Sequence, residues 1–235
     1  MAMTKVSKKK LFGKYKKILS VRKTKPTTFL NNVVLGKGFP RKLSFTHKYR
    51  DIATATVSGG AMTNYLFSCN GMYDPNISGT GGQPQWFDQL TALYNHYCVI
   101  GSKILVRFLP MDQSGLITPT TVACGIFVND DASLASSQTY LTLGQQSTGK
   151  VTYLAPLAVK PTVISRKWSA KKTFGGSVLS NTELQGTNGS NPTDQSYYHL
   201  FFQNANLSTT TQSIIFEVEL EYIAIWKELK DVGGS

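Results

Sequence analysis

No Asp or Glu occurs before Asp51, although the 235-residue chain contains thirteen of them. The first fifty residues carry fifteen Lys and Arg and the remainder carries ten, so the formal charge divides as +15 and 10 − 13 = −3, which sums to +12. A uniformly basic surface does not divide in this way. A cationic arm joined to a nearly neutral body does. Other scarcities narrow the body. Cysteine is limited to Cys69, Cys98 and Cys124, an odd set with no metal or redox spacing, each among apolar neighbours. Such thiols are expected to be buried and free, in keeping with a reducing compartment such as cytosol or nucleus. No apolar run approaches the ~20 residues of a membrane span and the N-terminus lacks an apolar signal core, so neither a membrane-spanning segment nor a secretory route is expected.

Groups for chemistry are also scarce. His47, His96 and His199 are scattered and form no metal-binding pair. There is no Gly-X-Ser-X-Gly elbow and no Cys–His signature. Asp74 and Asp88 sit in turn and helix-start contexts that account for an Asp without catalysis. The paired Asp130-Asp131 reads as a strand-end turn, and Gly-Thr-Gly-Gly-Gln-Pro lacks the Lys-Ser/Thr of a phosphate loop. No enzyme activity, metal or cofactor is expected.

The arm is the first thing the sequence does supply. Lys5, Lys8, Lys9, Lys10, Lys14, Lys16, Lys17, Arg22, Lys23 and Lys25 are interleaved with Leu11, Phe12, Tyr15, Ile18, Leu19 and Val21. A solvated tail would have little use for fifty residues without an acid. A nucleic-acid arm uses each cation to displace a counterion from a phosphate, and Phe12 and Tyr15 can stack on unpaired bases. The apolar residues recur near helical spacing, so a membrane-surface helix stays open at this point. The same basic clusters fit a nuclear-import signal, a loose pattern. Residues 1–40 are read as a basic arm and linker, disordered in part, and 41–235 as one folded domain.

The body reads as short strands. Leu43, Phe45, His47 and Tyr49 alternate with Lys42, Ser44, Thr46, Lys48 and Arg50, the period of a half-buried strand. His47 falls on the apolar side, where a core histidine is expected. Arg41, Lys42 and Lys48 would carry the arm's positive surface onto the body. Further strands are expected at Tyr65–Cys69, at Tyr97–Leu109 with Ile100, Ser102, Ile104, Val106 and Phe108 on one face, and at Val122–Val128, Val151–Leu157, Thr162–Phe174 and Tyr197–Gln203. Gln83-Pro84 opens the one expected helix, with Phe87, Leu90 and Tyr94 as its apolar stripe. In Ile214–Trp226, Phe216, Val218, Leu220, Tyr222 and Trp226 alternate with Glu217, Glu219 and Glu221. Three glutamates on one face call for cations beside them, and Lys48, Lys103, Arg107 and Arg166 are the candidates. About eight strands, one short helix and no βαβ alternation fit an all-β fold, a single eight-stranded antiparallel jelly roll of two packed sheets. An immunoglobulin-like sandwich fits less well, because the loops are long and no Cys-Trp-Cys spacing appears.

The ordered run Asn70-Gly-Met-Tyr-Asp-Pro-Asn76, Gly81-Gly-Gln-Pro84, Trp86-Phe-Asp-Gln-Leu90, Leu93-Tyr-Asn-His-Tyr-Cys-Val99 and Gly101-Ser-Lys103 resembles capsid proteins of circovirus-like circular single-stranded DNA viruses. The resemblance is strongest over residues 36 to 109. It implies a capsid protein whose copies, about sixty, close into a T=1 icosahedral shell around a single-stranded DNA genome. The arm would lie against that genome, and the virion and host nucleus would be its locations. Host nuclear import factors and a cell-surface receptor are further implied partners. This arm departs from the Arg-rich pattern, with twelve Lys and three Arg in residues 1 to 50. Lysine acts as a point charge without the guanidinium fork, so electrostatic, weakly selective packaging is expected. A small RNA-virus jelly-roll capsid, or a non-assembling basic-tailed β-domain that binds single strands, are the alternative readings.

Overall fold

The computed structural model describes residues 39–78, 81–109, 120–156 and 160–231. Internal contacts separate Met1–Pro40 from Arg41–Ser235, and the second unit is described below. The arm cations Lys5 to Lys25 lie outside the described residues.

Eight strands form: β1 (Lys42–Val57), β2 (Thr63–Ser68), β3 (Tyr94–Phe108), β4 (Val122–Asn129), β5 (Lys150–Leu154), β6 (Thr162–Ser169), β7 (Tyr197–Asn204) and β8 (Gln212–Leu229). They make two four-stranded sheets, β1-β8-β3-β6 and β2-β7-β4-β5, in which all neighbouring strands are antiparallel. Within these orders β1 meets β8, β2 meets β7, β3 meets β6 and β4 meets β5. That is one long hairpin rolled over on itself, the jelly roll expected from the strand pattern.

Alternation decides which side chains fill the space between the sheets. In β8, Phe216, Val218, Leu220, Tyr222 and Trp226 are buried while Glu217, Glu219 and Glu221 face outward. β1 does the same with His47, Tyr49, Ala55 and Val57. From the second sheet, Phe67, Val122, Cys124, Ile126, Tyr198, Leu200 and Phe202 complete this main core. The three cysteines are free and buried, as expected. Desolvation raises all three thiols, Cys98 to about 11 and Cys69 and Cys124 further, so they are inert protonated thiols at neutral pH.

The second sheet carries a smaller core on its outer face. Ala123, Phe127 and Phe201 are covered there by Tyr140 and Leu143 of a short helix, α2 (Tyr140–Gln145). Thr139 caps that helix reciprocally with Thr142. Tyr140 N–H donates to Gln203 Oε1 at 2.9 Å and its hydroxyl donates to the Ala205 carbonyl at 2.9 Å. Gly125 pairs with Phe201 across the ladder, and a Cβ there would stand 2.4 Å from the Phe201 ring and 2.2 Å from the Lys150 carbonyl oxygen. Glycine is therefore what lets the ring approach β4 this closely.

Four expectations need correction. The helix read from Gln83-Pro84 is only α1 (Phe87–Thr91), and Tyr94, the last residue of its supposed stripe, opens β3. The spacing of Phe87, Leu90 and Tyr94 suits a helix, but Tyr94 is buried by pairing opposite Leu229 instead. The strand expected to run to Phe174 stops at Ser169 and turns into α3 (Ala170–Phe174), so the described chain has three short helices and not one. Ile100 does not share the face of Ser102 and Ile104. A bulge between Val99 and Gly101 shifts the register by one residue and turns Ile100 outward. Arg166 stands opposite Ile104 on the inward parity of the edge strand β6 and donates to the Ser147 carbonyl at 2.5 Å, away from the glutamates.

Candidate nucleic-acid interface

The outer face of the first sheet is a ladder of charges. Lys48 faces Glu221 at 3.9 Å, Arg50 donates to Glu219 at 2.6 Å, and Arg107 lies 3.9 Å from both Glu217 and Glu219. Lys103 stands opposite Glu221 in the register. Three of the four cations expected beside the glutamates are therefore there. Arg50 is the one the sequence reading missed. The register supplies the reason, since Lys48 and Arg50 meet Glu221 and Glu219 across the β1–β8 ladder. Lys48, a candidate phosphate contact, thus shares its charge with a carboxylate. Exposed pairs of this kind contribute roughly 0–1 kcal/mol each.

Charge is less evenly matched at the end of the sheet where β1 begins and β8 ends. Lys42 pairs with Lys227 across the ladder, and Leu229 pairs with Tyr94. A cleft of about 640 Å³ opens here, lined by Arg41, Lys42, Lys227 and Lys230 together with Glu228 and Asp231. Two of its cations are anchored: Lys230 Nζ donates to the Thr91 carbonyl at 2.7 Å, and Lys227 Nζ to the Leu179 carbonyl at 3.5 Å. Glu228 is taken up by its own wall, 2.8 Å from His96 Nδ1 and 3.7 Å from Lys227 Nζ. Its backbone is left-handed, with φ 60°, which a non-glycine residue adopts only when its surroundings hold it there. Arg41 and Lys42 are exposed and have no ion-pair partner among the described residues. The structure thus brings Arg41 and Lys42 together and adds Lys227 and Lys230, which the sequence reading missed. Their local sequence does not distinguish them from ordinary cations at the end of a strand.

One residue before Lys227 in β8, Trp226 centres an aromatic cluster. Trp226 packs against His47, Phe87, Tyr94 and Tyr97 with ring centroids 5.5 to 6.4 Å apart. Trp226 Nε1–H donates to His47 Nε2 at 2.9 Å, and His47 Nδ1–H donates to the Gln85 carbonyl at 2.9 Å. An indole nitrogen can only donate, so His47 must be the neutral Nδ1–H tautomer. Burial lowers its pKa in the same sense. The expected core histidine is therefore a satisfied one.

Gln85 also clips the open edge of β1, its N–H donating to the Lys48 carbonyl at 3.1 Å. The next residue, Trp86, is left-handed with φ 70° and 54% exposed, whereas Trp168 and Trp226 are buried. Nothing in the sequence marked it out, because a Trp beside Phe87 reads as core. No group of three or more His, Cys, Asp or Glu able to hold a metal ion occurs among the described residues. Asp88 is exposed in the first turn of α1, and Asp74 lies in the loop that Asn191 ties down through its backbone.

No protein-family model matches the chain, and no curated protein sequence matches it. Solved structures resembling it in fold are viral capsid proteins. The 60-mer BFDV capsid protein is 11% identical, with 84% of this chain and 100% of that chain covered and a TM-score of 0.44. The T=1 subviral particle of the Penaeus vannamei nodavirus capsid protein is 10% identical, covering 80% and 98%, with a TM-score of 0.43. The empty turnip yellow mosaic virus capsid is 9% identical, covering 84% and 88%, with a TM-score of 0.39.

Proposed function

We propose that the chain is a viral capsid protein of the circovirus-like kind. In this reading about sixty copies self-assemble into a T=1 shell, and the Lys-rich arm packages circular single-stranded DNA. The observation that carries it is the charge split: +15 over the first fifty residues against −3 for the remaining 185. One such arm binds nucleic acid modestly and with strong salt dependence, and a closed shell multiplies it on one surface. The jelly-roll body supports the reading because Lys48, Arg50 and Arg107 on its outer ladder are paired with glutamates, whereas Arg41 and Lys42 beside the arm are unpaired among the described residues. Lys5 to Lys25 act as the main phosphate contacts, with Arg41, Lys42 and Lys48 at the start of the body. Virion and host nucleus are the corresponding locations.

Negative-stain microscopy of the purified full chain tests the assembly, and nuclease digestion tests the cargo. Uniform small particles protecting DNA are expected, and deletion of residues 1–40 is expected to give empty shells or none. Normal genome loading by that deletion would overturn the role of the arm. Protected RNA in place of DNA would move the chain to the RNA-virus reading, and a monomer that binds single strands would remove the capsid reading.

A further inference from the structure

We propose that the cleft at the start of β1 and the exposed Trp86 form one contact for single-stranded nucleic acid, the cleft taking a phosphate and the indole a base. The inference rests on the packaging reading and deepens it, because it gives the folded body a defined binding place of its own.

The cleft has the charge and the construction for a phosphate. Four cations line it against two acids, and Glu228 already has His96 and Lys227 as partners in the wall. Lys227 and Lys230 are fixed by backbone carbonyls, so part of the site is held in place before a ligand arrives. Arg41 adds the planar fork that suits two phosphate oxygens, which the Lys-rich arm largely lacks. The left-handed Glu228 shows the backbone held in a costly conformation at this point, as occurs where a site is built.

Trp86 is fixed on both sides. Gln85 before it is bonded to β1, and Phe87 after it is buried in the aromatic cluster. A bulky side chain is thereby kept in water on a left-handed backbone, the reverse of where burial would place it. Its ring has no aromatic partner among the described residues. Helix α1, about 8 Å long for its five residues, is all that separates Trp86 from the Thr91 carbonyl that holds Lys230. A stacking face and a cationic cleft within that span match how single strands are held without sequence preference, and a paired base offers no free face to an indole.

All three tryptophans are among the described residues and only Trp86 is exposed, so the full chain reports on the site by its own fluorescence. Titrating it with a dye-labelled oligothymidylate at low salt gives binding from dye anisotropy and contact from quenching of the iodide-accessible tryptophan emission. Quenching that tracks binding is expected. Trp86→Ala should weaken binding about fivefold or more, and Arg41→Gln with Lys42→Gln should reduce the quenching while the arm still binds. Oligothymidylate that binds with no change in Trp86 emission would overturn the inference and leave packaging by the arm intact. No binding at all would remove both. Shielding of Trp86 from iodide on assembly without nucleic acid would overturn the inference in favour of a contact between copies of the chain. Circular dichroism of each variant, with the wild-type quenching as an independent readout, keeps a folding defect from being read as loss of contact.

Discussion

The two sheets share one architecture and treat their outer faces in opposite ways. The β1-β8-β3-β6 sheet shows water a ladder of Lys, Arg and Glu. The β2-β7-β4-β5 sheet buries Ala123, Phe127 and Phe201 under α2. Removing a buried aromatic costs several kilocalories, while each exposed ion pair contributes about one or less. The covered outer face therefore contributes more to stability than the laddered one. The laddered face is cheap to alter.

The largest effect should come from uncovering the second sheet. Phe201→Ala removes the ring lying over Gly125 and should cost about 3–5 kcal/mol, read as a lowered denaturation midpoint. Acid should act on both sheets, through one histidine each. Burial lowers the pKa of His47 and of His199, so the native state keeps both neutral where the unfolded chain would protonate them. Their contribution is fully present above the ordinary histidine value of about 6.5 and is lost as pH falls from there toward the lowered native values. Each pH unit in that window costs up to ~1.4 kcal/mol per histidine. Thermal melts between pH 7.5 and 5 should show the decline.

The two histidines should not contribute equally. His47 Nε2 accepts from an indole that cannot turn round to accept. His199 Nδ1 faces the Asn64 amide at 3.1 Å, and the Asn64 Oδ1 is buried without a partner. An amide flip can present that oxygen to a protonated His199, so His47→Gln should flatten the pH dependence more than His199→Gln. The smallest effect belongs to the ladder. Arg50→Ala breaks a 2.6 Å contact, yet the Arg50 side chain is 72% exposed, and a loss within ~1 kcal/mol is expected in a denaturant titration. A loss several times larger would mean that the ladder is structural and would erase the contrast between the faces.

The features legible in the sequence were those that local alternation records. β1 alternates throughout and β8 does so up to Lys227, so their inward and outward residues, and the burial of His47, could be read residue by residue. Ile100 could not be, because a bulge is invisible to a period-two count until the partner strand sets the register. The stripe of Phe87, Leu90 and Tyr94 misled for a related reason: a strand entering a core also spaces buried aromatics unevenly. Arg166 was misassigned and Arg50 overlooked because the ladder joins residues far apart in sequence, and only the strand order says which cations meet which glutamates. Of the candidate site, Arg41 and Lys42 were visible as part of a charge run. Lys227, Lys230 and Trp86 became candidates only when the ends of β1 and β8 and the start of α1 were seen together.

The rolled hairpin also bears on the order of events in folding. Its innermost pair joins Ile126 to Lys150 over a short stretch of chain, while its outermost joins Lys42 to Lys227 across nearly the whole domain. Closing the longest loop carries the largest entropic cost, and fold topologies rich in such distant pairings form slowly. The cleft draws Arg41 and Lys42 from one end of the domain and Lys227 to Asp231 from the other. It therefore cannot form until the two ends of the domain have met, so a strand held there reports that the longest loop has closed.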